Sequence, residues 1–337
     1  TAFADTPLDY TIELTVASKG YDRKTCWVQA RAGAIPPAAP GNPSNIPIVV
    51  LTMQKLLLDR SDVFYEINDL RTDDLGKTWS APKPNSTLGR QRLDEHQEIV
   101  ICDFTPKWHA ATGKLLATGH TATYYDNLIR PSYDRWTAYS VYDPNEKSWT
   151  QWQKLEMPPL PQFRDAGAGC TQRYDLPNGD ILLPIYFARE TKGDEEAQHL
   201  QVYRATVVRC GFDGEKLRYI EHGDEISVDT VRGLAEPSLT KFGDRFYLTI
   251  RHDERGYVTS SAAGLHFDPL QEWKFDDGSE LGNYNTQQHW VTHSDGLFLI
   301  YTRRGANNDH IMRHRAPLFV AQVDPGKMCV IKSTERI

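Results

Sequence analysis

The chain has 337 residues, 39% hydrophobic and 25% charged, and its 38 Lys plus Arg against 45 Asp plus Glu give a formal charge of -7. That length holds two ordinary domains or one large all-β domain, and an acidic chain without basic clusters does not read as a nucleic-acid binder. The most apolar stretch, Ile46 to Leu58, is broken by Pro47, Gln54 and Lys55, well short of the ~20 apolar residues of a membrane helix.

Helical periodicity is nearly absent. In chain order, short runs rich in Val, Ile, Tyr, Phe and Thr occur at Pro47–Thr52, Val63–Leu70, Glu98–Asp103, Lys114–Thr118, Asp180–Phe187, Gln201–Arg209, Arg245–Ile250, Gly296–Tyr301 and Leu318–Val323. Gly, Pro, Asn and Asp separate them, which predicts an all-β sandwich, barrel or propeller. A weak repeat selects among these. The turn Thr72-Asp73-Asp74-Leu75-Gly76-Lys77-Thr78-Trp79 recurs in decayed form at Asp143–Trp149, Phe212–Lys216, Ser261–Phe267 and Val323–Lys327. A second turn recurs at Ala111–Lys114, Pro177–Asp180, Phe242–Arg245 and Ser294–Leu297. The units run 24–82, 96–156, 166–228, 234–276 and 284–335. A period of about 50 to 65 residues with four strands per unit predicts a single β-propeller domain over 1–337, with five blades counted. The segment Tyr10–Val16 is expected to pair as a strand with the last blade and close the ring. The end at Glu335-Arg336-Ile337, inside an apparent strand, suggests truncation.

Cys26, Cys102, Cys170, Cys210 and Cys329 have no zinc-finger spacing and read mostly as buried small residues. No cofactor is identified. A structural calcium held by backbone carbonyls at the axis, or a zinc assembled from distant positions, would leave no trace in the sequence. The chain starts at Thr1 without Met, which fits a processed protein, and a secreted or periplasmic location is expected. Monomer and oligomer are not distinguished.

Thr72-x-Asp74-x-Gly76-x-Thr78-Trp79 resembles the Asp-box turn of sialidase-like (BNR-repeat) propellers. Glu236-Pro237-Ser238-Leu239, followed by Phe246–Arg251, is similar to the Glu-Pro strand of that superfamily and the next strand, which ends in a carboxylate-binding arginine. Ala30–Pro36 loosely resembles its Arg-Ile-Pro strand, without that tripeptide. The resemblance implies six or seven blades, one or two more than the five counted. The superfamily includes polysaccharide lyases of the ulvan and rhamnosyl-glucuronate type, and the histidines here resemble that branch.

In a propeller the starts of the innermost strands and the ends of the second strands share one face. This rule selects Arg31, Asp59 and Asp62 in the first blade and His96, Gln97 and His120 in the second. It selects Gln172, Arg173, Tyr186 and Arg189 in the third, and Glu236, Arg251 and His252 in the fourth. In the fifth it selects Gln288, His289, Tyr301, Arg303 and Arg304, with Asn307, Asn308, Asp309, His310 and Arg315 in the following loop. Guanidinium forks match carboxylates, so the expected partner is an acidic glycan. The leading expectation is a carbohydrate-active enzyme that cleaves at a uronic acid by β-elimination. His120 would be the base, with Gly119 permitting close approach of substrate. Tyr186 would be the acid, Arg251 or Arg303 the carboxylate clamp, and His289 a second base or a group that orients the substrate. Arg31, Gln97, Gln172, Glu236, His252, Gln288 and Tyr301 would bind substrate. One alternative is a sialidase-like hydrolase with a Tyr nucleophile, Glu236 as its partner, Asp62 as acid and Arg31, Arg251 and Arg303 on the carboxylate. Another is a non-catalytic glycan-binding propeller. The run Asp194-Glu195-Glu196 reads as a solvated loop tip, and Pro36–Pro47 as an extended surface loop.

Overall fold

The computed structural model describes residues 7–60, 62–129, 135–188, 202–230, 232–311 and 315–337. Arg189 and the Asp194–Glu196 run lie outside the described residues. These residues form five antiparallel sheets in chain order and contain no α-helix, and none of their segments is a helix long and apolar enough to cross a membrane.

The first sheet holds Thr25–Ile35, Ile48–Leu57, Phe64–Thr72 and Lys83–Pro84. The second is built on Gln97–His109, Lys114–Tyr125 and Thr137–Asp143, with short strands at its edges. The third runs from Ala166–Gly167 through Ile181–Ala188 and Tyr203–Phe212 to Leu217–His222. The fourth holds Ala235–Phe242, Arg245–Arg251, Tyr257–Ser261 and Gln271–Glu272. The fifth holds His289–Thr292, Leu297–Tyr301, Phe319–Asp324 and Cys329–Val330.

Each sheet is a blade, because alternate residues of its strands pack against different neighbours. Ile181, Leu183 and Ile185 join Leu116, Tyr139 and Val141 of the second blade, whereas Leu182 joins Leu239, Phe246 and Leu248 of the fourth. Equivalent clusters join the first blade to the second and the fourth to the fifth. With both faces buried, the strands read as nearly continuous apolar runs without a polar alternation.

The repeated turn has one physical basis. At the end of each third strand a side-chain oxygen accepts backbone N–H groups of its own turn. Thr72 takes them from Asp74 and Gly76, Asp143 from Asn145 and Glu146, and Asp213 from Glu215 and Lys216. Ser261 takes them from Ala263 and Gly264, and Asp324 from Gly326 and Lys327. In the first copy Asp74 also accepts from the hydroxyls of Thr72 (2.8 Å) and Thr78 (2.6 Å) and from Thr78 N–H (2.9 Å).

Residues 10–16 are not a strand, and Leu14 and Val16 are exposed. Side chains dock this segment on the fifth blade instead: the Tyr10 hydroxyl donates to Val320 O (3.0 Å) and Thr334 O (2.5 Å), and its ring meets Phe298 edge-on. All five cysteines are unpaired thiols, and four of them are buried.

Candidate active site

The innermost strands of the first, second and fourth blades each carry a one-residue bulge, between Val28 and Arg31, Cys102 and Thr105, and Ala235 and Ser238. At each bulge a non-glycine residue has positive φ: Gln29 at 57°, Asp103 at 53° and Glu236 at 48°. Cys170, at 56°, holds the matching place in the third blade. Such residues are uncommon, and a bulge re-aims a side chain. Here the bulges turn side chains toward the axis, where they bond one another. Asp103 N–H donates to Gln29 Oε1 (3.0 Å), and the Cys170 thiol donates to Asp103 Oδ1 (2.7 Å). Arg31 Nη2 reaches Cys170 Sγ (3.4 Å). From the fifth blade the Gln287 amide donates to Glu236 Oε2 (3.1 Å) and accepts from Arg31 Nη2 (2.8 Å). Arg251 then donates to Glu236 Oε1 (2.7 Å) and Asn285 Oδ1 (2.8 Å).

On the Asp103 side the network continues outward. His120 Nε2 lies 3.0 Å from Asp103 Oδ2, and the Tyr186 hydroxyl lies 3.2 Å from His120 Nδ1. Asp103 accepts at Nε2, so that nitrogen carries the proton and Nδ1 is left to accept from the phenol. Burial alone would raise the Asp103 pKa. The hydrogen bond and charge of His120, the Cys170 thiol and Arg31 outweigh it and hold the carboxyl at about 2. Burial pushes the Tyr186 phenol well above its ordinary pKa, Arg135 opposes that shift, and Glu236 and Asp103 add to it. The Arg135 guanidinium lies over the Tyr186 ring at 4.2 Å and over Tyr203 at 5.2 Å, and pairs with Asp165 at 3.1 Å.

His120, Tyr186, Arg31, Glu236 and Arg251 are thus brought together, and His289 lies one layer along the axis. The His289 ring is buried with Nδ1 3.2 Å from Ser238 Oγ, and burial with the Arg31 charge lowers its pKa to about 3. The other expected binders are committed elsewhere. Arg303 is held bidentately by Glu335 at 2.8 and 2.6 Å, and the Tyr301 hydroxyl donates to the same carboxylate. His252 is buried, with its nitrogens on Thr230 Oγ1 and Glu254 N–H. Gln288 is buried against Thr286 O and Thr249, and Gln172 spans to both backbone groups of Trp290. Arg173 is buried on Leu116 O, Lys107 O and Asp175. Gln97 begins its strand, six residues ahead of Asp103, at the blade's outer end. His96 is exposed there and stacks on Tyr125. Asn308 ties its loop to Arg303 O and Ala316 O. Asp62 is exposed at the turn after the second strand of the first blade. Arg304 is exposed, stacks on Tyr284 at 4.1 Å and has no carboxylate partner among the described residues.

Gly119 does not open a path for substrate. A Cβ there would lie 2.5 Å from Cys102 O, so its missing side chain admits the neighbouring strand. The sequence reading missed Asp103, Cys170, Gln287 and Arg135. A carboxylate set inside Ile99-Val100-Ile101-Cys102-Asp103-Phe104 was the available signal for the first.

Ligand atoms of Cys102, Asp103 and His120 lie within 4.8 Å of one another, the one His/Cys/carboxylate grouping of this kind among the described residues. Both Asp103 oxygens and both His120 nitrogens already have protein partners, and burial drives the Cys102 thiol strongly toward its neutral form, so the donor set is poorly suited to a zinc ion.

No family model and no curated protein matches the chain. Solved structures do. It is similar to the Hadza microbial sialidase Hz136, at 12% identity and TM-score 0.54 over 88% of this chain and 56% of that one. It is similar to the NanB sialidase of Streptococcus pneumoniae, at 11% identity and TM-score 0.58 over 96% and 63%. It is similar to the Trypanosoma rangeli sialidase, solved with the inhibitor DANA, at 15% identity and TM-score 0.54 over 87% and 46%. The chain spans about half to two thirds of the length of these structures, and its fold is that of the sialidase β-propeller.

Proposed function

We propose, on the premise of this shared propeller fold, that the chain carries the active site of a glycan-acting enzyme that hydrolyses the glycosidic bond of an acidic sugar with Tyr186 as nucleophile. The observation that carries this reading is the chain of contacts from Tyr186 to His120 Nδ1 (3.2 Å) and from His120 Nε2 to Asp103 (3.0 Å). It has the form of an activated nucleophile: a hydroxyl on a base whose far side is fixed by a third group. The expected elimination asks His120 to take a proton from carbon. Both of its nitrogens are engaged, and the His289 imidazole is buried one layer away.

The phenol oxygen attacks the anomeric carbon while its proton passes to His120 Nδ1. Asp103 holds the imidazolium that forms. The bond to the leaving oxygen breaks, and Asp62 protonates that oxygen. Water then attacks the aryl glycoside, returning a proton to Asp62 as base and freeing Tyr186, which regains its proton from His120. Arg135, stacked on the phenol ring, favours the charge that develops on its oxygen. Arg304 and Arg31 supply guanidinium groups for the sugar carboxylate.

The test is incubation with aryl sialosides and aryl uronosides, and with a 2,3-difluoro acidic sugar to trap the intermediate. Release of free sugar without the ultraviolet absorbance of a new double bond, a label on Tyr186, and loss of about 10³-fold or more in Tyr186→Phe are expected. Double-bond absorbance, or full activity in Tyr186→Phe, overturns the assignment. Glycan binding with no turnover would place the chain among non-catalytic glycan binders.

A further inference from the structure

Two residues past the axial ring, the inner strands carry Arg31, Thr105, Gln172, Ser238 and His289. Arg31 Nε, Thr105 Oγ1 and His289 Nε2 are buried there without a hydrogen-bond partner. Buried polar atoms are nearly always paired, and of these three residues Thr105 lines the cavity below, so its orphaned hydroxyl lacks a partner there.

Below them lies an axial cavity of about 320 Å³, reached by Thr105, Lys107, Gln172, Arg173, Lys241 and Trp290. The inner-strand residues that line it lie one to five positions past the ring, so it opens on the propeller end opposite the proposed active site. Lys107, Arg173 and Lys241 line it, and no carboxylate does. Arg173 is spent on Leu116 O, Lys107 O and Asp175. Lys107 Nζ donates to Arg173 O (2.8 Å), leaving two further N–H donors, and Lys241 Nζ stands 5.2 Å from the Phe246 ring centroid with no ion pair among the described residues. Burial pulls the Lys107 ammonium down to about 8, with Asp175 opposing the shift and Arg173 adding to it. This lining is the reverse of what an axial calcium requires.

We propose that this cavity binds a tetrahedral oxyanion of the sulfate or phosphate class, held by Lys107, Lys241 and the Thr105 hydroxyl. The cavity is larger than a bare ion, so the group arrives either as the hydrated free ion or as the ester of one sugar residue. The site is independent of the reaction proposed for the other face.

Isothermal titration of the full chain at constant ionic strength, with sodium sulfate, sodium phosphate, glucose 6-sulfate and glucose, tests it. One saturable site for the oxyanions and none for glucose is expected, weakened about tenfold in Lys241→Gln and in Lys107→Gln. Tighter binding of the ester identifies the sugar sulfate as the source, and equal or weaker binding identifies the free ion. Absence of saturable binding by every oxyanion, or unchanged affinity in Lys241→Gln, overturns the proposal. Lys241→Gln settles it if Lys107→Gln does not fold. A crystal soaked in selenate should show its anomalous peak within hydrogen-bond distance of both lysines. Lys241→Gln should keep wild-type glycan turnover, so failure here leaves the Tyr186 assignment standing.

Discussion

His120 packs against Gly169 of the next blade because Gly169 has no side chain: a Cβ there would lie 2.4 Å from His120 Nδ1. Gly167 stands in the same relation, 2.5 Å from His120 Cβ. The nitrogen that would be displaced is the one facing the Tyr186 hydroxyl. Gly169→Ala is therefore expected to push the imidazole off the phenol and lower kcat about 10²-fold or more with a small change in Tm, since Gly169 has no positive φ to protect. Gly211→Ala, whose Cβ would meet Ile220 at an ordinary 3.5 Å, is the control and should turn over normally. Equal activity in Gly169→Ala would show that His120 does not serve Tyr186.

The blades were legible because each strand buries two faces and each third strand ends in a residue that caps its own turn. Thr72, Asp143, Asp213, Ser261 and Asp324 are local signals, read without knowing any long-range contact. The axial ring was not legible in the same way. A bulge shifts which residues face the axis by one position, and nothing in Gln29, Asp103, Cys170 or Glu236 announces a positive φ. The count from strand starts therefore reached Arg31, His120, Tyr186 and Arg251. It took Gln288 where Gln287 faces the ring, and it assigned Arg303 to substrate where Glu335 claims it. Which arginine remains free depends on partners hundreds of residues away, and no local pattern encodes that.

Arg251 and Glu236 form a pair whose side chains are 10% and 13% exposed. Glu236→Gln keeps the shape and removes the counter-charge, leaving a guanidinium in a nearly dry site with Asn285 as its remaining partner. We expect a loss of about 3 kcal/mol in urea unfolding, because a buried charge deprived of its partner is costly. Glu236→Gln combined with Arg251→Met should recover much of it. A loss below about 1 kcal/mol in the single variant would show that the pair is solvated in solution.

Asp103 sets an acid limit. Its pKa falls from 3.8 to about 2 on folding, so the unfolded chain binds the proton more readily in that interval. The stabilisation is complete above pH ~4 and is lost as pH falls through ~2, amounting to roughly 2 kcal/mol at neutral pH. Asp103→Asn should flatten this part of the stability–pH curve and lower stability at pH 7. Unfolding midpoints measured between pH 2 and 7 test it. A curve of unchanged shape in the variant would mean that other carboxylates carry the acid transition.

Lys107 makes the axial cavity pH-sensitive near neutrality. Its ammonium sits at about 8, pulled down by burial and by Arg173, and supported by Asp175, whose own pKa is lowered by Arg173 and Lys107 so that it stays ionised throughout this range. Oxyanion binding favours the charged lysine. Affinity for inorganic sulfate, a dianion across the whole range, should therefore be flat from pH 6 to 7 and fall as pH rises through 8 to 9. Lys241, half-buried at the same cavity, leaves residual binding. In Lys107→Gln the weaker binding should lose its pH dependence. Sulfate titrations at pH 6, 7, 8 and 9 measure this. A decline of the same size in Lys107→Gln would assign the titration to another group and remove Lys107 from the site.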